Sequence, residues 1–307
     1  MSGFDLSTAS SCTSVPTALS HLGSACGFTV KFWGVRGSIP TPGLETVRYG
    51  GNTACVELQV GGKRIIFDGG TGLRVLGKHL RQEMPVEAHI FFTHSHWDRI
   101  QGFPFFTPAF IPGNLFHIYG AMGANGASIK QRLCDQMLRP NFPVPLQVMR
   151  SDLKFRDIAP GSVITLDDVM IETVSLNRPN GALGYRVTWN GYSVVYATDT
   201  ENGEQPDQSL LYLAHQADAL IYDASYINPA LYDPDEAASQ HSIIWGSGIE
   251  LAIAAKVKRI ILFHHDPAYD DDFLDQAQAE IKARFPNVEL AREGLTLNIL
   301  DDPTKDS

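Results

Sequence analysis

The sequence predicts an α/β protein in which two β-sheets pack face to face with helices outside. Three observations carry that prediction. Short apolar or alternating segments bounded by glycine turns recur through the first two thirds of the chain. From Gln208 onward the pattern changes to helix, strand, helix, strand. With 307 residues and 44% hydrophobic content, the chain can bury a large core. Nothing repeats at a fixed period and no linker divides the chain, so one domain is expected over residues 30–300.

In order, strands are predicted at Thr29 to Val35, Ala54 to Val60, Arg64 to Phe67 and Ala88 to Phe92, with Gly61-Gly62 as a turn. Leu73 to Gln82 has helical spacing. The proline-rich stretch from Gly102 to Pro145 reads as an inserted loop region over the site, with a strand at Phe116 to Tyr119 and a helix from Ser128 to Leu138. Further strands follow at Lys154 to Ile158, Val169 to Leu176, Leu183 to Thr188 and Ser193 to Ala197. Helices at Ser209 to His215, Ser242 to Ala255 and Asp271 to Ala283 alternate with strands at Ala219 to Tyr222 and Arg259 to Phe263. Residues 1–29, rich in Ser, Thr, Ala and Gly, are expected to be a disordered extension without the apolar core of a secretory signal, and residues 301–307 a solvated tail.

Charge and cysteine usage narrow the partners. A formal net charge of −10 and a pI near 5.4 disfavour long nucleic acid and anionic membrane, because phosphate surfaces attract basic proteins. No segment has the roughly 18 uninterrupted apolar residues of a membrane span. Cys12, Cys26, Cys55 and Cys134 are scattered, which suits reduced thiols in a cytoplasmic protein.

The chemistry begins at Thr93-His94-Ser95-His96-Trp97-Asp98, on the turn that ends an apolar strand. His94 and His96 can converge on one cation, and Asp98 faces a neighbouring position for a second. The next residue, Arg99, cannot be a metal ligand, since a guanidinium has no free lone pair to offer. Other strands end in Asn177-Arg178-Pro179, in Asp199 and in His264-His265-Asp266, and Gln240-His241-Ser242 lies at an expected helix start. Asp68, before Gly69-Gly70-Thr71-Gly72, reads as a structural residue that bonds turn amides and orients the neighbouring loop. His265 reads as outward-facing or as packing behind His264. His21, His79, His89, His117 and His215 read as surface or packing residues without a partner at ligand spacing.

The chain resembles the metallo-β-lactamase superfamily, in its branch related to ribonuclease Z and cyclic-nucleotide phosphodiesterases. The likeness rests on Gly34-Val35-Arg36-Gly37-Ser38, Tyr49-Gly50-Gly51-Asn52-Thr53, Phe67-Asp68-Gly69-Gly70-Thr71-Gly72, the His94 cluster, Ala182-Leu183-Gly184-Tyr185-Arg186, Ala197-Thr198-Asp199-Thr200 and Phe263-His264-His265-Asp266. These occur in the family's order over about residues 30 to 298. The resemblance implies a four-layer αββα sandwich. It also implies that His94 and His96 bind a first metal, Asp98 and His264 a second, and that Asp199 bridges them, while His241 contacts the scissile phosphate or protonates the leaving group. Family members are often dimers, which leaves a homodimer open.

Arg99 and Arg178 stand where the family pattern has histidine ligands. A divalent cation about 5 Å from a guanidinium is repelled by roughly 6 kcal/mol at an effective dielectric near 20, against roughly 10 to 16 kcal/mol for good structural zinc sites. A second cation is therefore disfavoured. Two readings follow. In the first, the arginine heads swing away, one divalent metal (zinc, or manganese or iron) sits on His94, His96 and Asp199, and Asp98 orients or deprotonates water. Arg99 and Arg178 then hold the phosphate of a small nucleotide or cyclic phosphodiester. In the second, the arginines neutralise the carboxylates without metal, and the protein is a pseudoenzyme that binds a phosphate-bearing ligand in a regulatory role. Phe103, Phe105, Phe106, Phe110 and Phe142 could wall a pocket for a stacked base, or be core.

Overall fold

The computed structural model describes residues 27–178, 181–200, 207–224, 226–227, 244–245 and 248–301. Two seven-stranded sheets face each other. The first comprises β1 (Phe28–Gly34), β2 (Cys55–Val60), β3 (Lys63–Phe67), β4 (Glu87–Phe91), β5 (Leu115–Ala121), β6 (Asp152–Ile158) and, after most of the chain, β16 (Thr296–Asn298), in the order β16-β1-β2-β3-β4-β5-β6. The second contains β7 (Val163–Leu166), β8 (Val169–Leu176), β9 (Ala182–Trp189), β10 (Tyr192–Ala197), β11 (Ala219–Asp223), β14 (Arg259–Phe263) and β15 (Val288–Leu290), in the order β15-β14-β11-β10-β9-β8-β7. A separate ribbon pairs β12 (Tyr226–Ile227) with β13 (Ile244–Trp245).

Pairing follows connection length. Strands joined by tight turns, such as β2 and β3 or β9 and β10, are antiparallel, whereas β3, β4, β5 and β6 run parallel, as do β10, β11, β14 and β15. The crossovers of the parallel sets supply the outer layers. Helix α1 (Thr71–Leu80) buries Gly72, Leu73, Leu76, Gly77 and Leu80, a helical stripe laid on the first sheet. Together with α3 (Ile129–Asp135), α1 covers the outer face of that sheet around Ile66, Ala88, Ile90 and Phe116. Helices α4 (Gln208–Ala214), α5 (Gly248–Ala254) and α6 (Asp271–Arg284) cover the second sheet around Val195, Leu220, Ile260 and Leu262. Between the sheets, Val56, Leu58, Ile65, Phe67 and Phe91 meet Ile171, Val187, Tyr196 and Ile261. Because both faces of each sheet are covered, the central strands read as continuous apolar runs.

Four expectations need correction. β1 starts at Phe28, so Phe28 and Thr29 belong to the sheet rather than to the extension. The stretch from Gly102 to Pro145 is not an inserted loop, since it contains β5, paired on both edges within the first sheet. The helix expected from Ser242 begins at Gly248, and Ile244 and Trp245 are strand. Phe103 and Phe106 are fully buried against α1 and Phe116, so they are core and not a pocket wall. Among the described residues no helix is long and apolar enough to cross a membrane.

Candidate active site

The candidate site forms at the carboxyl ends of β3, β4, β10, β11 and β14, where Asp68, the His94 loop, Asp199, Asp223 and His264 emerge together. Asp68, Asp199 and His264 have φ values of 59°, 64° and 65°. That left-handed conformation breaks the alternation of the strand and turns each side chain into the cleft, at a conformational cost of about 1–3 kcal/mol each. Asp68 is fully buried and fixes the histidine loop: its Oδ1 accepts the Thr93 amide at 2.9 Å, and both its oxygens lie 3.0 Å from the Thr93 hydroxyl. Its expected structural role is what the contacts describe.

Helix α2 (Trp97–Ile100) is a single turn that carries Asp98 and Arg99 inward. It packs so closely on the Asp68 loop that a Cβ on Gly102 would meet the Gly70 carbonyl oxygen at 1.8 Å. Arg99 is completely buried. Its Nη1 donates to Asp68 Oδ2 at 3.0 Å, to the Tyr196 hydroxyl at 3.1 Å and to Thr198 Oγ1 at 2.9 Å, and its Nη2 donates to Asp199 Oδ2 at 2.8 Å. Its Nε lies 3.3 Å from Asp98 Oδ2 without hydrogen-bond alignment. Burial alone would lower the guanidinium pKa, but Asp199, Tyr196, Asp68 and Asp98 outweigh it and hold the group firmly charged. The expectation of a head that swings aside to meet a phosphate is therefore corrected: Arg99 is held in the floor of the site by these acceptors.

Arg178 is different. Its side chain is partly exposed, with Nη1 2.7 Å from Asp199 Oδ1 and Nη2 donating to His96 Nδ1 at 3.0 Å. Asp199 is thus held from both sides by guanidiniums. Burial pushes its carboxyl up, but Arg99 first, then His94 and His264, bring it well below the usual carboxylate range. Asp98 is pushed up by burial too, yet the bond from His264 (Nε2 to Oδ2, 2.9 Å) and the charge of Arg99 bring it down to about 2. A carboxylate held so firmly ionised is better suited to orienting water, one of the two roles expected of Asp98, than to deprotonating it.

His94 carries a conflict. The Thr93 hydroxyl donates its one proton to the acceptor-only Asp68, so its oxygen is left to accept and His94 Nδ1, 3.0 Å from Thr93 Oγ1, is the donor in that contact. Neutral His94 then presents the lone pair of Nε2, which has no aligned partner, to Asp199 Oδ2 at 3.1 Å. Burial, aided by Arg99, lowers the His94 pKa and favours that neutral form despite Asp199.

Asp223 was not anticipated from sequence. Its Oδ1 lies 3.4 Å from His264 Nδ1, and burial raises its carboxyl to about 6 against the opposing charge of His264. The signal was available: a carboxylate directly after the apolar Ala219 to Tyr222, on the strand between those ending in Asp199 and His264. His265 is fully buried, its Nε2 2.7 Å from the Ala291 carbonyl, so it does not face outward. His241 lies outside the described residues.

These features place the chain in the beta-lactamase superfamily, whose domain pattern matches residues 63–265. It is similar to ribonuclease Z of Thermococcus gammatolerans, at 29% identity over 270 residues, covering 74% of this chain and 82% of that protein. Among solved structures, a diphosphatase from the PhnP family aligns with a TM-score of 0.62 at 17% identity, over 88% of this chain and 97% of that one. Human tRNase Z, short form, aligns with a TM-score of 0.59 at 17% identity, over 89% and 100%. At such identities the two structural likenesses speak for the fold. The ribonuclease relatives also correct the exclusion of long nucleic acid as a partner. Net charge sums the whole surface, whereas a binding face depends on local charge, and here Arg178 stands beside exposed His96.

Members of the metallo-β-lactamase fold use divalent metals, and one ligand atom from each of Asp98, Asp199 and His264 lies within 4.8 Å of the other two. That triad already encloses a cation: Arg99 Nη2 and Nε stand 2.8 Å and 3.3 Å from its two carboxylates. At the other position His96 Nδ1 is taken up by Arg178 Nη2, while its ring lies edge-on to that of His94 with centroids 4.5 Å apart. The residues present do not fit a two-metal centre.

Proposed function

We propose that this protein is a phosphodiester-type member of its superfamily whose site binds a phosphate-bearing ligand without a resident metal. The observation that carries the reading is Asp199, expected to bridge two metals and bound instead by Arg99 at one oxygen and Arg178 at the other. Arg99 supplies fixed positive charge in the floor. Arg178, partly exposed and adjoining His96, can exchange Asp199 for the oxygens of a phosphate, which a guanidinium grips through two parallel N–H donors. Exposed Trp97 borders the same opening and offers an aromatic face.

A second reading, a hydrolase with a single metal on His94, His96 and Asp199, is favoured by the unpartnered Nε2 of His94 facing Asp199. Zinc, manganese and iron are the ions to assay. Elemental mass spectrometry on protein purified without chelator separates the two. The first reading expects the same metal content in wild type and H94N, before and after incubation with these ions, with binding of nucleotides, cyclic nucleotides or RNA that weakens in R178A. Metal that wild type binds and H94N loses, with phosphodiester hydrolysis abolished in H94N, establishes the second reading and overturns the first.

A further inference from the structure

At the opposite end of β4 from the His94 loop, Glu87, His89 and His117 form a cluster unrelated to the candidate active site. Glu87 and His89 are two residues apart on one strand and share a face, and the parallel register sets His117 directly beside His89. Their rings stack with centroids 4.6 Å apart and planes within 11°. His117 Nε2 lies 3.2 Å from Glu87 Oε1, and His89 Nδ1 lies 3.2 Å from the Tyr119 hydroxyl. Phe91 and Tyr119, next on the same face, stack at 4.3 Å and anchor the pair to the core between the sheets.

We infer that Glu87, His89 and His117 form a divalent transition-metal site, of the zinc class, that clasps β4 to β5. One ligand atom from each residue lies within 4.8 Å of the other two. Ligands around a tetrahedral zinc at about 2.0–2.2 Å stand roughly 3.5 Å apart, so closure requires about 1 Å of movement. Glu87, its side chain 60% exposed, has room for that movement, and His117, 23% exposed, turns out of its stack on His89 so that both ring planes meet the ion, while buried His89 stays fixed. Two imidazoles and one carboxylate select borderline ions such as zinc, nickel or copper over magnesium or calcium. Tyr119 orients the His89 ring as the outer partner of a ligating histidine does. This site is independent of the reading given to Arg99 and Arg178.

The test is equilibrium dialysis of the full chain against zinc ion alone, read by elemental mass spectrometry and by the melting temperature. Wild type is expected to bind zinc and to melt higher in its presence. H117Q should lose more than the roughly 10–100-fold in affinity typical of removing an outer partner of a ligand, together with the zinc-dependent rise, and E87Q, at an exposed position, should lose part of both. H94Q should retain both. Zinc uptake unchanged in H117Q and E87Q, uptake removed by H94Q instead, or no uptake by wild type would each overturn the inference.

Discussion

Arg99 Nη2 lies 2.8 Å from one oxygen of Asp199, and Arg178 Nη1 lies 2.7 Å from the other. The two arginines differ in depth, and the difference is measurable. Replacing Arg99 by Met leaves Asp68, Asp98 and Asp199 without their shared cation, and removing one partner of a buried ion network costs about 3–5 kcal/mol. Replacing the partly exposed Arg178 by Met should cost under about 1 kcal/mol. Urea denaturation midpoints of the two variants check the ranking.

The double substitution Arg99→His, Arg178→His removes both guanidiniums and restores imidazoles at the two positions. Metal bound per chain should rise above the wild-type level, with activity on phosphodiesters as an accompanying readout. Elemental analysis showing no additional metal in a folded double variant would count against the assignment of His94, His96, Asp98, Asp199 and His264 as latent ligands.

Stability should respond to pH in opposite directions at two carboxylates. Asp98 titrates at about 2 when folded, below the roughly 3.9 of an unfolded aspartate. Its contribution, on the order of 2–3 kcal/mol for such a difference, is present above the unfolded value and lost as pH falls through about 2. Asp223, raised to about 6, contributes stability below the unfolded value that is lost as pH rises through about 6. Unfolding curves should therefore show the wild-type advantage over D98N shrinking from pH 5 towards 2. The wild type should lose ground to D223N between pH 4 and 6.

Gly102→Ala places a methyl group 1.8 Å from the Gly70 carbonyl oxygen, where the obstacle is backbone. The Gly102 amide also donates to Gly69, and Gly69 donates to Arg99, so relief of the clash displaces the floor of the site. A loss of about 1–3 kcal/mol, typical of overpacking, is expected in denaturant titrations, together with weaker binding of any ligand that depends on Arg178.

The central strands were legible because each is covered on both faces and therefore reads as an apolar run, as Ile65-Ile66-Phe67 does. The three- and four-residue strands β7, β15 and β16 were missed because so short a segment shows no period. The residues at strand ends that meet in the site could be named, yet their states could not. Sequence identifies an arginine at position 99 but not its burial, which follows from α2 packing on the Asp68 loop. Of the two positions left open for His265, outward or behind His264, its burial fits the second, and the positive φ at His264 breaks the strand alternation that would have turned it out. Glu87, His89 and His117 went unlinked because 28 residues separate the two histidines and only the β4–β5 register unites them.

The double hold on Asp199 makes the principal cations of this cleft part of the polypeptide itself. They arrive with every copy at synthesis and in fixed proportion, and neither chelators nor scarcity can remove them. On the proposed reading without a resident metal, the cleft keeps the same electrostatic character whatever the metal supply around it, and exposure to EDTA should leave ligand recognition through Arg178 intact.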